Sequence, residues 1–138
     1  MIQRIQTLWL FLAALFMLGI FYFPIYRFFP EGDITIGQNF IAIVLAGTSI
    51  ALSLITIFMF KNRRRQIRLI SFNVLCDLLL MIWLFYSIYK DMTDTERSVS
   101  GYYWIGLFLP LICIILLTMA RIGIKKDEKL VRSMDRLR

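Results

Sequence analysis

The sequence predicts an all-α fold, a bundle of four transmembrane helices, and three observations predict it. Of its 138 residues, 59% are hydrophobic and only 18% are charged, which is more apolar surface than a soluble domain of this size can hide. The apolar residues come in blocks, not in the alternation of half-buried strands or amphipathic helices. Four blocks, roughly 5–23, 40–60, 69–89 and 102–122, approach the ~20 residues of helix needed to cross a hydrocarbon core. Residues 1–138 then form a single integral membrane domain, and 123–138 form a cytoplasmic tail.

The net charge of +7 raises nucleic acid as a partner, but its distribution argues for a membrane. Thirteen Lys and Arg lie at Arg4, in the run Lys61–Arg68, and from Arg121 to the end, against three at Arg27, Lys90 and Arg97. By the positive-inside rule the basic set is cytoplasmic. Both termini are then inside, and 24–39 and 90–101 are outside. The expected partner of this charge is a bilayer with an anionic inner leaflet, with no role for nucleic acid.

The first block begins MIQRIQTLWLFLAA, a basic start before an apolar run. No small-x-small cleavage pattern follows, so the stretch reads as a retained first span. Gln3, Gln6 and Thr7 fall near the cytoplasmic face, within reach of headgroups or of polar groups on neighbouring helices. Pro24 and Pro30 end the span. Glu31-Gly32-Asp33 signals a turn, and Ile34-Thr35-Ile36-Gly37 alternates like a short extended piece over the outer mouth of the bundle.

The second block is uncharged and has a seam. Ala42, Ala46, Ser49, Ser53 and Thr56 recur at spacings of 4, 3, 4 and 3, so they share one helix face. Small residues in this pattern let helix backbones approach closely where lipid gives no hydrophobic drive. A polar pore lining is the functional alternative, although the hydroxyls can also bond within their own helix.

The third block, LISFNVLCDLLLMIWLFYSIY, holds Asp77, the one acidic residue deep in an apolar segment. A charge at the centre of a span costs about 2.5–3.5 kcal/mol on insertion scales, so Asp77 needs polar partners or a task. Spans two and three form an antiparallel hairpin across a basic loop taken as Lys61–Arg68. Reflection about its middle sets Asp77 level with Ser53 and Asn73 level with Thr56. The same construction across the outer loop brings Thr118 to the level of Asn73. Arg121 falls about 10 Å below Asp77 at 1.5 Å per residue, close enough for a water-bridged pair, though such an arginine more commonly snorkels to the headgroups. Ser53, Thr56, Asn73, Asp77, Thr118 and Arg121 are therefore the candidate intramembrane polar cluster.

Aromatic residues crowd the external ends of the spans, from Phe21 to Phe29, from Trp83 to Tyr89, and over Tyr102-Tyr103-Trp104, as an interfacial belt. Pro110 removes one hydrogen bond from span four. The tail reads as a short basic amphipathic helix. Lys125, Lys129, Arg132 and Arg136 share one face, suited to an anionic leaflet or a docking partner. Cys76 and Cys113 lie within spans, neither forms part of a CxxC motif, and both read as small core residues. The chain has no His, the commonest metal ligand and general base. No catalytic, metal or cofactor residues are expected.

The two ends, MIQRIQTLWLFLAA and GIKKDEKLVRSMDRLR, resemble a bacterial four-span inner-membrane family known as domain-of-unknown-function family 4293. The resemblance covers the whole chain and is most specific in KKDEKLVRSMDRLR. It implies a four-helix inner-membrane protein and brings no catalytic or binding residues.

Three functions follow for weighing. A non-enzymatic accessory or scaffold subunit of a larger membrane complex fits the close-packing seam and the charged tail, with Asp77 a satisfied structural group. A small transporter or proton-linked channel would use Asp77 as its working residue. A membrane enzyme fits least well. A quinone-linked thiol oxidase needs external cysteine pairs, and an intramembrane aspartyl protease needs two carboxylates to share a proton.

Overall fold

The computed structural model describes residues 2–28, 32–59, 62–94 and 101–135. Four helices dominate it: α1 (Ile2–Gly19), α2 (Phe40–Phe58), α3 (Arg63–Asp94) and α4 (Ile105–Asp135). They pack as a ring, in which α1 touches α2 and α4, and α3 touches the same two neighbours. Three of them, α2, α3 and α4, are long and apolar enough to cross a membrane, whereas the apolar part of α1 is the shorter stretch Ile5–Gly19.

The helix boundaries correct the expected ones in three places. Helix α1 ends at Gly19 instead of continuing to residue 23. The amides of Ile20, Phe21 and Tyr22 bond to the carbonyls three residues back, a tightening that unwinds the chain ahead of Pro24. The basic run is not a loop, because α3 begins at Arg63 and only a few residues separate it from α2. The tail is not a separate helix either, since α4 runs without a break from the apolar segment through Asp135. Nothing in Arg121-Ile122-Gly123-Ile124 stops it: one glycine costs a helix only about 1 kcal/mol.

Beside the helices stands a small antiparallel sheet in the order β2-β1-β3, formed by β1 (Tyr26–Phe28), β2 (Gly32–Ile34) and β3 (Gly101–Tyr103). Tyr26 pairs with Ile34 on one side and Tyr103 on the other, so the α1–α2 and α3–α4 connections are tied together. The extended stretch expected at Ile34–Gly37 is displaced: it lies at Gly32–Ile34, and Ile36–Gln38 forms a 3-10 turn. Gly32 takes φ +119°, a value open to glycine and strained for other residues. Arg27 forms an ion pair with Asp33 at 3.1 Å and lies 4.3 Å from the Trp104 ring centroid. The amide of Gly106 donates to the Pro24 carbonyl at 3.1 Å. A side chain at Gly106 would collide with that carbonyl, which lies 2.5 Å from where a Cβ would stand.

The buried apolar residues fall into two groups. One, near the sheet, includes Met17, Ile20, Ala42, Ala46, Leu80, Leu84, Leu107 and Cys113. The other, toward the basic end, includes Leu10, Ala13, Ile70, Leu117, Ala120 and Ile124. On α2 and α3 the buried residues lying between the two are Ser49, Ser53, Asn73, Cys76 and Asp77, all polar apart from the cysteine. Away from the charged helix ends the outer faces are largely apolar, with Phe11, Leu15, Val44, Ile55, Leu75, Ile82, Phe108 and Ile115 among the exposed side chains. A surface of this composition suits lipid and not water.

Candidate functional site

The polar layer between the two apolar groups is built by i, i+4 pairs on facing helices. Ser49 and Ser53 lie on α2, in the seam whose buried members are Ala42, Ala46, Ser49, Ser53 and Thr56. Asn73 and Asp77 lie on α3. Small seam residues bring the two backbones near enough for a side-chain amide to reach across. The Asn73 Nδ2 donates to the Ser53 Oγ at 2.8 Å and to the Ser49 carbonyl at 3.2 Å. Both of its protons are thereby used.

Asp77 is completely buried, and neither of its carboxylate oxygens has a hydrogen-bond partner. The Ser49 hydroxyl approaches the carboxylate without reaching hydrogen-bond geometry. The Asn73 Oδ1 is also buried and unpartnered. Cys76 beside it and Cys113 on α4 are within electrostatic reach of Asp77. The layer is rich in acceptors and poor in donors, an unusual balance for a buried group.

This differs from the expected cluster in register and in membership. Asp77 faces Ser49, one helical turn from Ser53, and Asn73 faces Ser53 instead of Thr56. The early start of α3 moves the hairpin axis toward residue 62 and shifts every cross-helix level. The Thr56 hydroxyl is buried but turns back to the Leu52 carbonyl at 2.6 Å. The Thr118 hydroxyl likewise donates to the Ile115 carbonyl of its own helix at 2.8 Å. Arg27 pairs with Asp33 and Arg64 with Glu128, but Arg121 makes no pair with Asp77, whose oxygens have no partner. Its Nε is buried without a partner. Of the tail face, Lys125 and Lys129 are exposed. The side chain of Arg132 and all of Arg136 lie outside the described residues.

Two polar contacts at the basic end are absent from the sequence reading. The Gln6 Nε2 donates to the Asp127 Oδ2 at 3.0 Å in a buried position, tying the start of α1 to the far part of α4. Gly123 is packed against the Gln6 side chain. Gln66, also buried, donates from Nε2 to the Thr56 carbonyl at 3.2 Å, satisfying one of the open acceptors at the end of α2. The signal for the first contact was present in Gln6, a polar residue at the very start of the apolar block.

No curated protein and no solved structure matches this chain. A family model does match, over residues 2–137. That match spans the four helices, the sheet and the polar layer alike, and the chain belongs to the family described as Domain of unknown function (DUF4293).

Proposed function

We propose that this chain is a multi-pass protein of a bacterial inner membrane, a four-helix bundle with both termini cytoplasmic. In this reading it serves as a non-enzymatic accessory or scaffold subunit of a larger membrane complex. The observation that carries it is the unbroken α4. Beyond its apolar segment the helix is pinned by Gln6 to Asp127 and by Arg64 to Glu128, at 3.0 and 3.4 Å. Lys125, Lys126, Lys129, Leu130 and Val131 are exposed on that extension. A partner meeting a helix already in place is spared the entropy of ordering it. The apolar outer faces support membrane insertion, and the thirteen-to-three division of Lys and Arg supports the orientation. Asp77 is a single carboxylate, which favours a structural subunit over an aspartyl enzyme.

The test is purification of the tagged chain from its native membranes in mild detergent. Larger membrane proteins should accompany it in fixed ratio, and Lys125→Glu with Lys129→Glu should release them. If the chain is repeatedly recovered alone, the subunit reading is abandoned.

A second reading, a small transporter or proton-linked channel, is favoured by one observation: both Asp77 oxygens lack a partner. A buried ionisable group inside a span is a candidate ion-pathway residue. Flux of protons, sodium or a cationic dye into proteoliposomes, abolished by Asp77→Asn, would support it. Absence of flux for all three would remove it.

A further inference from the structure

Where α2 gives way to α3, the start of α3 and the extension of α4 enclose a cleft of about 450 Å³ lined by Asn62, Arg63, Arg64, Arg65, Arg68 and Glu128, with Val131 as an apolar wall. Its size is within the ~300–1,000 Å³ range of small-molecule sites. Four guanidinium groups face one carboxylate there, a net charge of +3. Within the cleft Arg64 pairs with Glu128 at 3.4 Å. The first turn of α3 adds unpaired amides and the positive end of a helix dipole. Guanidinium forks match phosphate oxygens bidentately.

The surroundings decide between a soluble anion and a lipid. Arg68 is followed on the same helix face by Phe72, Leu75, Leu79 and Ile82, at spacings of 4, 3, 4 and 3, all exposed. From Arg68 to Ile82 this stripe runs about 21 Å at 1.5 Å per residue. One leaflet of a ~30 Å hydrocarbon core is about 15 Å deep. The stripe thus offers an acyl chain a continuous apolar track that starts at the arginines.

We propose that the cleft between the start of α3 and the extension of α4 binds the headgroup of an anionic phospholipid carrying two phosphodiesters, of the cardiolipin type. Arg63, Arg64, Arg65 and Arg68 hold the phosphates, and the acyl chains lie along Phe72, Leu75, Leu79 and Ile82. A charge of +3 exceeds what one phosphodiester neutralises and leaves a place for the second. Basic pockets at the cytoplasmic ends of spans are suited to such headgroups. The proposal rests on the membrane placement and orientation given above, and not on the identity of any protein partner.

In the test, membranes are first washed with alkaline carbonate. Release of the chain at that step marks a failure of membrane placement, separate from any failure of the cleft. The full-length chain in dodecyl maltoside is then titrated with cardiolipin, phosphatidylglycerol, phosphatidylethanolamine and pyrophosphate, with binding read by native mass spectrometry. We expect cardiolipin to bind about tenfold more tightly than phosphatidylglycerol, and Arg65→Gln with Arg68→Gln to weaken it about tenfold or more. Lys90→Gln, exposed toward the opposite end of α3 and outside the cleft, should leave binding within about twofold. Glu128→Gln, which removes the cleft's one carboxylate, should tighten binding several-fold, and it reports on the cleft even if loss of arginines disturbs insertion. Equal affinity for the two anionic lipids would overturn the proposal, as would equal loss in the lysine variant or no gain from Glu128→Gln. Displacement of cardiolipin by equimolar pyrophosphate would make this a soluble-anion site and overturn it too.

Discussion

The middle of this molecule and its basic end present opposite electrostatic problems. In the middle, Asp77 and the Asn73 Oδ1 are acceptors without donors, sealed between two apolar groups of side chains. At the basic end, four arginines around one glutamate are donors with few acceptors, and three of the four are exposed. The cost of the mismatch differs accordingly. An exposed guanidinium keeps its water, so imbalance there costs little and leaves it free to meet a ligand. A buried carboxylate without partners has no such refuge. Its presence adds nothing to stability that the contacts reveal, and this makes Asp77 a better functional candidate than its sequence context suggested.

Changes that remove a made contact should cost most. Gln6→Leu leaves the buried Asp127 carboxylate without its donor, and we expect a loss of about 1.5–3 kcal/mol, read by thermal unfolding in detergent. Asn73→Leu follows. It removes two bonds, to Ser53 and to the Ser49 carbonyl, for a loss of about 1–3 kcal/mol. Asp77→Leu, one turn away on the same face, should behave differently, because the nearby Ser49 hydroxyl is not held in a geometric hydrogen bond to it. We expect a change below about 1 kcal/mol or a gain, as apolar replacement of buried charge often gives. A large loss there would erase the contrast between the two layer residues and return Asp77 to a structural role. The smallest effect belongs to the exposed end. Arg64→Gln removes a 3.4 Å pair whose Arg64 side chain is 78% exposed, and should cost less than about 1 kcal/mol, and less again in high salt.

Much of the frame was legible because it is written in periodicity. The seam at Ala42, Ala46, Ser49, Ser53 and Thr56 was read from spacing alone, and those are the buried residues of α2. Register was less legible. Lys61–Arg68 looks the same whether it is looped or helical, since a helix end at a polar boundary keeps no apolar stripe. The one-turn error at Asp77 follows from that ambiguity. The membership of Thr56 and Thr118 failed for a local reason: a hydroxyl can satisfy itself on its own helix, and spacing does not say which option it takes. Gln6–Asp127 needs two residues 121 positions apart to meet, a juxtaposition no local pattern encodes. The sheet was hidden by the shortness of its strands, three residues each, below the length at which alternation becomes a signal.

The two ties between the chain's halves also set an order in time. Helices α2 and α3 are neighbours in sequence and can pair as soon as both have left the ribosome. Strand β1 must wait for Gly101–Tyr103 to gain its second partner, and Gln6 must wait for Asp127. Helix α1 packs against α2 early, but its other flank stays open until α4 arrives. During synthesis the nascent chain therefore passes through a three-helix stage whose Gln6 and β1 edge are unmet. Arrival of β3 completes the sheet, and arrival of α4 then meets Gln6 at the other end.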